Sequence, residues 1–180
     1  MLDLPSEIED LKNSEVSETV KGRIKDFEKV GEKGDNRWFS EMCFCILTAN
    51  SSAQLGIDIQ KGLGVDGFMG LPPEKLKEEM KDYGHRFHRT RSEYILEARE
   101  YSDNIKKIVK SFSDNRDARE WIVENVKGIG YKEGSHFLRN VGYKDLAILD
   151  RHVLRMLDKS DCIECIPKTL TRKRYLSIER

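Results

Sequence analysis

Cysteine, glutamine and long apolar runs are all scarce in this 180-residue chain. Its four cysteines, arranged as Cys43-Phe-Cys45 and Cys162-x-x-Cys165, make no disulfide framework. No apolar run approaches the roughly 20 residues needed to span a bilayer. The acidic opening MLDLPSEIEDLKNSE lacks the basic and then apolar order of a secretory signal. A polar intracellular protein is therefore expected, with no membrane partner. Two glutamines among 32 Lys and Arg and 32 Asp and Glu also point to a thermophilic source. At 20.9 kDa the chain fits one large domain or two small lobes. Size scaling gives about 70% burial of its unfolded surface, enough for a core without disulfides.

The formal net charge of +0 conceals segregation. Asp3, Glu7, Glu9, Asp10, Glu15 and Glu18 face only Lys12 in the first twenty residues, whereas Arg86, Arg89 and Arg91 stand together without an acid. Further basic clusters are Lys127, Lys132, Arg139 and Lys144, and then Lys168, Arg172, Lys173, Arg174 and Arg180. Separate basic patches on a neutral chain suit a polyanion. Each patch taken alone is equally a solvated helix face.

No sustained period-2 alternation occurs beyond Ile163–Ile166, and helical spacing dominates. Val16, Val20, Ile24 and Phe27 share one helical face, as do Phe39, Met42, Cys43, Ile46 and Leu47. Ile105, Ile108, Val109 and Phe112, then Ala118, Trp121, Ile122 and Val126, and finally Leu149, Val153, Met156 and Leu157 repeat the pattern. The chain is expected to be all-α, a two-lobed helical domain with a cleft. The glycine-rich stretch Gly62–Pro73 is predicted to be loop, with a new helix starting at Pro72-Pro73 near Glu74.

The most informative segment runs from Trp121 to Gly142 and reads as helix, glycine turn, helix, with the hairpin spanning about 118–142. Gly128-Ile-Gly130 leaves backbone N–H groups unobstructed next to the positive end of the following helix, a cradle for a DNA phosphate. Lys132 follows at once. A cation in the first helical turn is disfavoured by about 0.3–1 kcal/mol; it serves either as a solvent- or phosphate-facing side chain or as an amine nucleophile. Asp150 precedes an apolar helical stripe and suits an N-cap, a position from which it can also face Lys132 across a cleft.

The hairpin Val126-Lys-Gly-Ile-Gly-Tyr-Lys132 and the segment Leu149-Asp-Arg-His-Val153 resemble the helix-hairpin-helix DNA glycosylase superfamily. Together with Leu47-Thr-Ala-Asn-Ser-Ser-Ala53 and Arg86-Phe-His-Arg-Thr-Arg-Ser-Glu-Tyr94, they resemble its archaeal-type 8-oxoguanine DNA glycosylase/lyase family over nearly the whole chain, a single glycosylase domain over 1–180. The resemblance implies a two-lobed helix-hairpin-helix fold with the active site between the lobes. It implies double-stranded DNA carrying 8-oxoguanine or abasic sites as substrate, and a monomeric enzyme. Lys132 would attack the sugar C1′ and form a Schiff base, with Asp150 as its catalytic partner, and beta-elimination would then cut the strand 3′ to the lesion. Lys127, Gly128, Gly130, Arg86, Phe87, Arg89 and Arg91 are the expected DNA contacts. Family members carry a further C-terminal helix and a terminal lysine that helps tell 8-oxoguanine from guanine; this sequence ends at Arg180, so the resemblance implies the lyase chemistry more directly than the lesion.

No metal ligand set is expected. The four-cysteine spacing of iron–sulfur relatives is absent, and Cys162-x-x-Cys165 has no second pair to complete a zinc site. The superfamily hairpin can bind a monovalent cation through backbone carbonyls. His136 and His152 are expected to be packed or hydrogen-bonding histidines rather than ligands. Phe87 begins the stripe Phe87, Tyr94, Ile95, Ala98, which favours a core role over a wedge into the gap left by a flipped base. The competing readings are a glycosylase for damaged pyrimidines, opposed by the missing cysteines, and a non-catalytic helix-hairpin-helix DNA-binding module, which would have no use for Lys132 and Asp150 together.

Overall fold

The computed structural model describes residues 3–180, and among them it contains helices and turns but no strand. Period 3.6 thus prevails throughout. Helices α1 (Leu4–Lys12), α2 (Val16–Glu32) and α3 (Asp35–Thr48) are followed by α4 (Ala53–Gly70), α5 (Pro73–Asp82) and α6 (His88–Ala98). A 3-10 turn at Arg99–Tyr101 leads to α7 (Ile105–Lys110), α8 (Asn115–Asn125), α9 (Tyr131–Asn140), α10 (Arg151–Lys159) and α11 (Arg172–Ile178).

The main core is built around α3, whose residues from Trp38 to Thr48 are all buried. A helix covered on every side needs apolar residues all round, and Trp38, Phe39, Met42, Phe44, Ile46 and Leu47 supply them. Ile59 and Phe68 of α4, Leu76 and Met80 of α5, Ile95 of α6 and Phe137 and Leu138 of α9 close around it. A second, separate cluster consists of Leu149, Leu154 and Tyr175, with Tyr131, Ile163 and Ile178 against it. No helix of the described residues is long and apolar enough to cross a membrane.

One expectation is corrected, and two of the helical stripes prove partly uncovered. The stretch 62–70 is helical, because Phe68 is fully buried and Leu63 and Met69 pack on the core; its glycines yield only a kink at Gly64, where φ is +61°. The stripe on α2 forms a helix face but is not covered: Val16 and Val20 are each 50% exposed and Ile24 38%. On α10 the buried position is Leu154, whereas Val153 and Met156 stand exposed.

Candidate active site

The glycine turn joins α8 to α9 as the pattern predicts. Gly128 has φ +84°, a left-handed conformation that side chains resist. A Cβ there would also lie 2.4 Å from Tyr94 Cδ2 and 2.7 Å from Arg91 Nη1, so glycine is required twice over. Gly130 is different: it precedes α9 with φ −99° and ψ −172°, ordinary extended backbone. No side chain caps α9 at that point, leaving its first N–H groups open to an anion. The carbonyls of Lys127, Gly128 and Ile129 accept no backbone hydrogen bond among the described residues.

Lys132 sits in the first turn of α9, and its side chain is 27% exposed. Its ammonium lies 3.4 Å from Glu133 Oε1, a neighbouring acid that also complements the positive end of the helix. The start of α9 is clamped by Tyr131, whose hydroxyl donates to the carboxylate of Glu120 at 2.6 Å and packs its ring against Tyr175. Arg172 Nε donates to the same carboxylate at 2.8 Å. Burial alone would raise the Glu120 carboxyl, but the bonds from Tyr131 and Arg172 outweigh it and hold it below the usual carboxylate range. The residue before Lys132 is thereby anchored to α8 and α11.

Asp150 caps α10. One oxygen, Oδ1, accepts the N–H groups of His152 at 2.8 Å and Val153 at 2.9 Å. The other oxygen makes no hydrogen bond to the described residues. Asp150 and Lys132 form no ion pair with each other. Burial, then Arg139 and Lys132, drive the His136 imidazolium down to about 3, against the opposite pull of Asp150. His152 contributes its backbone N–H to the cap and its ring is exposed.

The upstream blocks converge on the hairpin. Arg91 donates from Nη2 to Ala49 O at 3.0 Å and lies over the rings of Tyr94 and Phe87. It is half-buried and held inside the protein, between the Ala49–Ser52 segment and Gly128. Arg86 is exposed, with Nη2 3.4 Å from Asn50 O and its guanidinium 4.4 Å from the Phe87 ring. Phe87 departs from the core stripe: Ile95 and Ala98 are buried, but Phe87 occupies the N-cap of α6 and is half-exposed. His85, which sequence reasoning missed, is buried there. Phe87 N–H donates to its Nδ1 at 3.2 Å, so Nε2 carries the proton and donates to Leu47 O at 3.0 Å. Burial foremost lowers the His85 imidazolium, fixing this neutral tautomer. Arg89 is exposed without an ion-pair partner among the described residues, and Lys127 pairs with Glu97 at 2.8 Å. Cys162 and Cys165 are exposed free thiols, and no group of three or more His, Cys, Asp or Glu converges among the described residues.

An all-helical chain organised around such a hairpin has the fold of the helix-hairpin-helix DNA glycosylases. Residues 20–180 match the family model described as 8-oxoguanine DNA glycosylase, and the chain belongs to that family. A Methanocaldococcus jannaschii protein named 8-oxoguanine DNA glycosylase/AP lyase is 56% identical over 176 residues, covering 98% of this chain and 84% of that protein. The Thermotoga maritima protein of the same name is 45% identical over 180 residues, covering 99% and 85%. The crystal structure of the M. jannaschii enzyme in complex with a 15mer DNA containing 8-oxoguanine superposes with a TM-score of 0.94 at 54% identity, covering 99% of this chain and 85% of that one.

Proposed function

We propose that the protein is a base-excision repair enzyme of the cell interior that removes 8-oxoguanine from double-stranded DNA and then cuts the strand 3′ to the abasic site. The observation that carries the chemistry is the placing of half-buried Lys132 in the first turn of α9 and of Asp150 at the cap of α10, where one carboxylate oxygen is left without a partner among the described residues. Family membership and the likeness to a DNA-bound relative support the substrate.

In this reaction the damaged nucleotide is flipped out of the stack at a cost of a few kcal/mol. The Lys132 amine attacks C1′ as the C1′–N9 bond breaks, and the departing purine takes the bonding pair and a proton. Asp150, held in place by two backbone N–H groups, has one oxygen left to receive an amine proton and to stabilise the positive charge that develops on the sugar. Breaking of the C1′–O4′ bond, with O4′ taking a proton and the nitrogen losing one, opens the sugar to a Schiff base; this acidifies the C2′ proton, whose removal drives beta-elimination of the 3′ phosphate. The open N–H groups before α9 and the turn at Gly128 would hold a backbone phosphate, with Arg86, Arg89 and Lys127 adding charge.

The test is borohydride trapping on duplexes carrying one 8-oxoguanine, one abasic site, one damaged pyrimidine or undamaged guanine. A covalent adduct on the 8-oxoguanine duplex that vanishes in Lys132→Gln, with DNA binding retained, is the expected result. Trapping on the abasic site alone would leave a lyase without the proposed lesion. Intact binding with no adduct on any duplex would mean a non-catalytic DNA-binding module instead.

A further inference from the structure

His136 is the one histidine whose ring nitrogen is shielded from solvent and unpartnered: Nδ1 has no hydrogen bond among the described residues. Buried polar atoms without a partner are rare and costly, and each calls for an explanation. The rest of the ring is well held, edge-on to Phe44 of α3 with centroids 5.5 Å apart. Helical spacing places His136 one turn after Lys132 on the same face of α9. Side chains on a helix lean toward its N-terminus, so the imidazole leans toward the turn that carries the lysine.

Resting on the function proposed above, we propose that His136 is a positioning residue, whose Nδ1 accepts a hydrogen bond from the Lys132 amine and orients its lone pair toward the sugar C1′. In the free protein the ammonium rests beside Glu133 Oε1 at 3.4 Å. Attack needs a neutral amine with its lone pair on the sugar and its N–H groups held elsewhere. A carboxylate partner favours the charged ammonium, which has no lone pair to offer. A neutral imidazole accepts through one nitrogen without drawing a full proton. Surrounding charge keeps the ring neutral: Arg139 and Lys132 of α9 oppose its protonation, Asp150 at the cap of α10 favours it, and burial against Phe44 of α3 decides the balance. His136 therefore takes no proton in the cycle. It directs the amine away from Glu133, and the orphaned nitrogen gains its partner only when the amine is poised to react.

Two amides separate the nitrogen from the bulk of the ring. Asn puts a polar atom near the Nδ1 position, and Gln puts one near Nε2. Single-turnover borohydride trapping on an abasic-site duplex at saturating protein should slow about 100-fold in His136→Leu and His136→Gln, the scale expected when a reacting group is misplaced by about 1 Å. His136→Asn should recover to within about tenfold of the parent protein, and the duplex Kd should stay within about twofold in all three. The pH profile should keep its shape, because His136 does not titrate in the cycle. Far-UV circular dichroism verifies folding of each variant, and the 15N shift of His136 Nδ1 in the unmodified protein, free and on a duplex with a non-cleavable abasic analogue, reads the new bond directly. Trapping of His136→Leu at the parent rate, a His136→Asn as slow as His136→Leu, a loss of binding equal to the loss of rate, or an unchanged 15N shift would each overturn the proposal. Failure of the unmodified protein to trap at all would instead overturn the function on which it rests.

Discussion

The guanidinium of Arg119 in α8 grips the carboxylate of Glu179 with two hydrogen bonds of 2.6 Å, and both side chains are almost wholly buried. Arg119 Nη1 also donates to Ser135 Oγ at 2.9 Å, and Glu179 Oε1 accepts the Ala147 N–H at 3.0 Å. Tyr175 lies alongside: its hydroxyl donates to Ala147 O at 2.6 Å and accepts from Leu149 N–H at 3.3 Å. One buried ion pair thus fastens α8, α9, the segment leading to Asp150 and the residues after α11. It bears directly on where Asp150 stands relative to Lys132.

Breaking that pair from one side leaves a buried charge without compensation, which costs about 3–5 kcal/mol. Burial would raise the Glu179 carboxyl, but the hydrogen bonds and charge of Arg119, with help from Ala147 N–H and Arg116, hold it below its ordinary range. A carboxyl depressed in the folded state contributes stability that is present above its unfolded value and lost as pH falls through the folded one. Urea denaturation at pH 7 should show Glu179→Gln destabilised by about 3–5 kcal/mol, and the gap to the parent protein should narrow as pH drops below 4. A constant gap across that range would mean that the carboxylate charge is not what holds the segment.

Gly128→Ala tests the hairpin. The substitution meets both a left-handed φ and the Tyr94 ring and Arg91 guanidinium, so the turn must distort or Arg91 must leave Ala49 O. Strain of this kind costs about 1–3 kcal/mol. A lower Tm together with weaker binding to undamaged duplex, measured by fluorescence anisotropy, is the expected outcome. Gly130→Ala, at extended backbone with only Glu133 Oε2 at 3.4 Å, should be milder in both measurements.

The helices were legible because apolar residues recur at helical spacing, and the hairpin because a turn between two such faces needs glycine at a left-handed position. The cap role of Asp150 followed from its place before an apolar stripe, and the structure bears it out. What periodicity could not tell is which apolar face finds a partner. Val20 and Ile24 have the same spacing as Met42 and Ile46, yet only the latter are covered, since coverage depends on tertiary contacts far away in sequence. The Arg119–Glu179 pair joins residues 60 positions apart, and neither residue type in a highly charged chain advertises burial. Phe87 departs from the stripe for a related reason: it stands one residue before α6, and His85 and Arg86, not the core, receive its ring.

Neutral burial of His136 makes stability depend on pH in its own window. Its imidazolium is driven from 6.5 to about 3, first by burial, then by Arg139 and Lys132. Between those values the unfolded chain binds a proton that the folded one refuses, so stability rises with pH from about 3 to 6.5 and is level above. The slope from this one group approaches about 1.4 kcal/mol per pH unit. His136→Asn should flatten the profile between pH 4 and 6 while leaving the Glu179 limb below it. An unaltered profile would show that the ring is already charged in the folded protein.

Substitution can separate the cap role of Asp150 from its proposed catalytic one. Its Oδ1 accepts two N–H groups at the start of α10, a cap that Asn supplies almost as well as Asp. Its second oxygen has no partner among the described residues, and in the proposed reaction the charge there serves the amine and the sugar rather than the helix. Asp150→Asn should therefore keep the Tm within about a degree or two, since a cap-preserving change costs only tenths of a kcal/mol, while the rate of base excision falls by about 100-fold or more. Asp150→Ala should lose the same activity and also about 0.5–2 kcal/mol of stability. Thermal melts and single-turnover excision on an 8-oxoguanine duplex, run side by side, resolve the two effects. If Asp150→Asn excised at the parent rate, the carboxylate would be a cap and nothing more, and the charge that steadies the sugar would have to come from another group near Lys132, with Glu133 at 3.4 Å the first to examine.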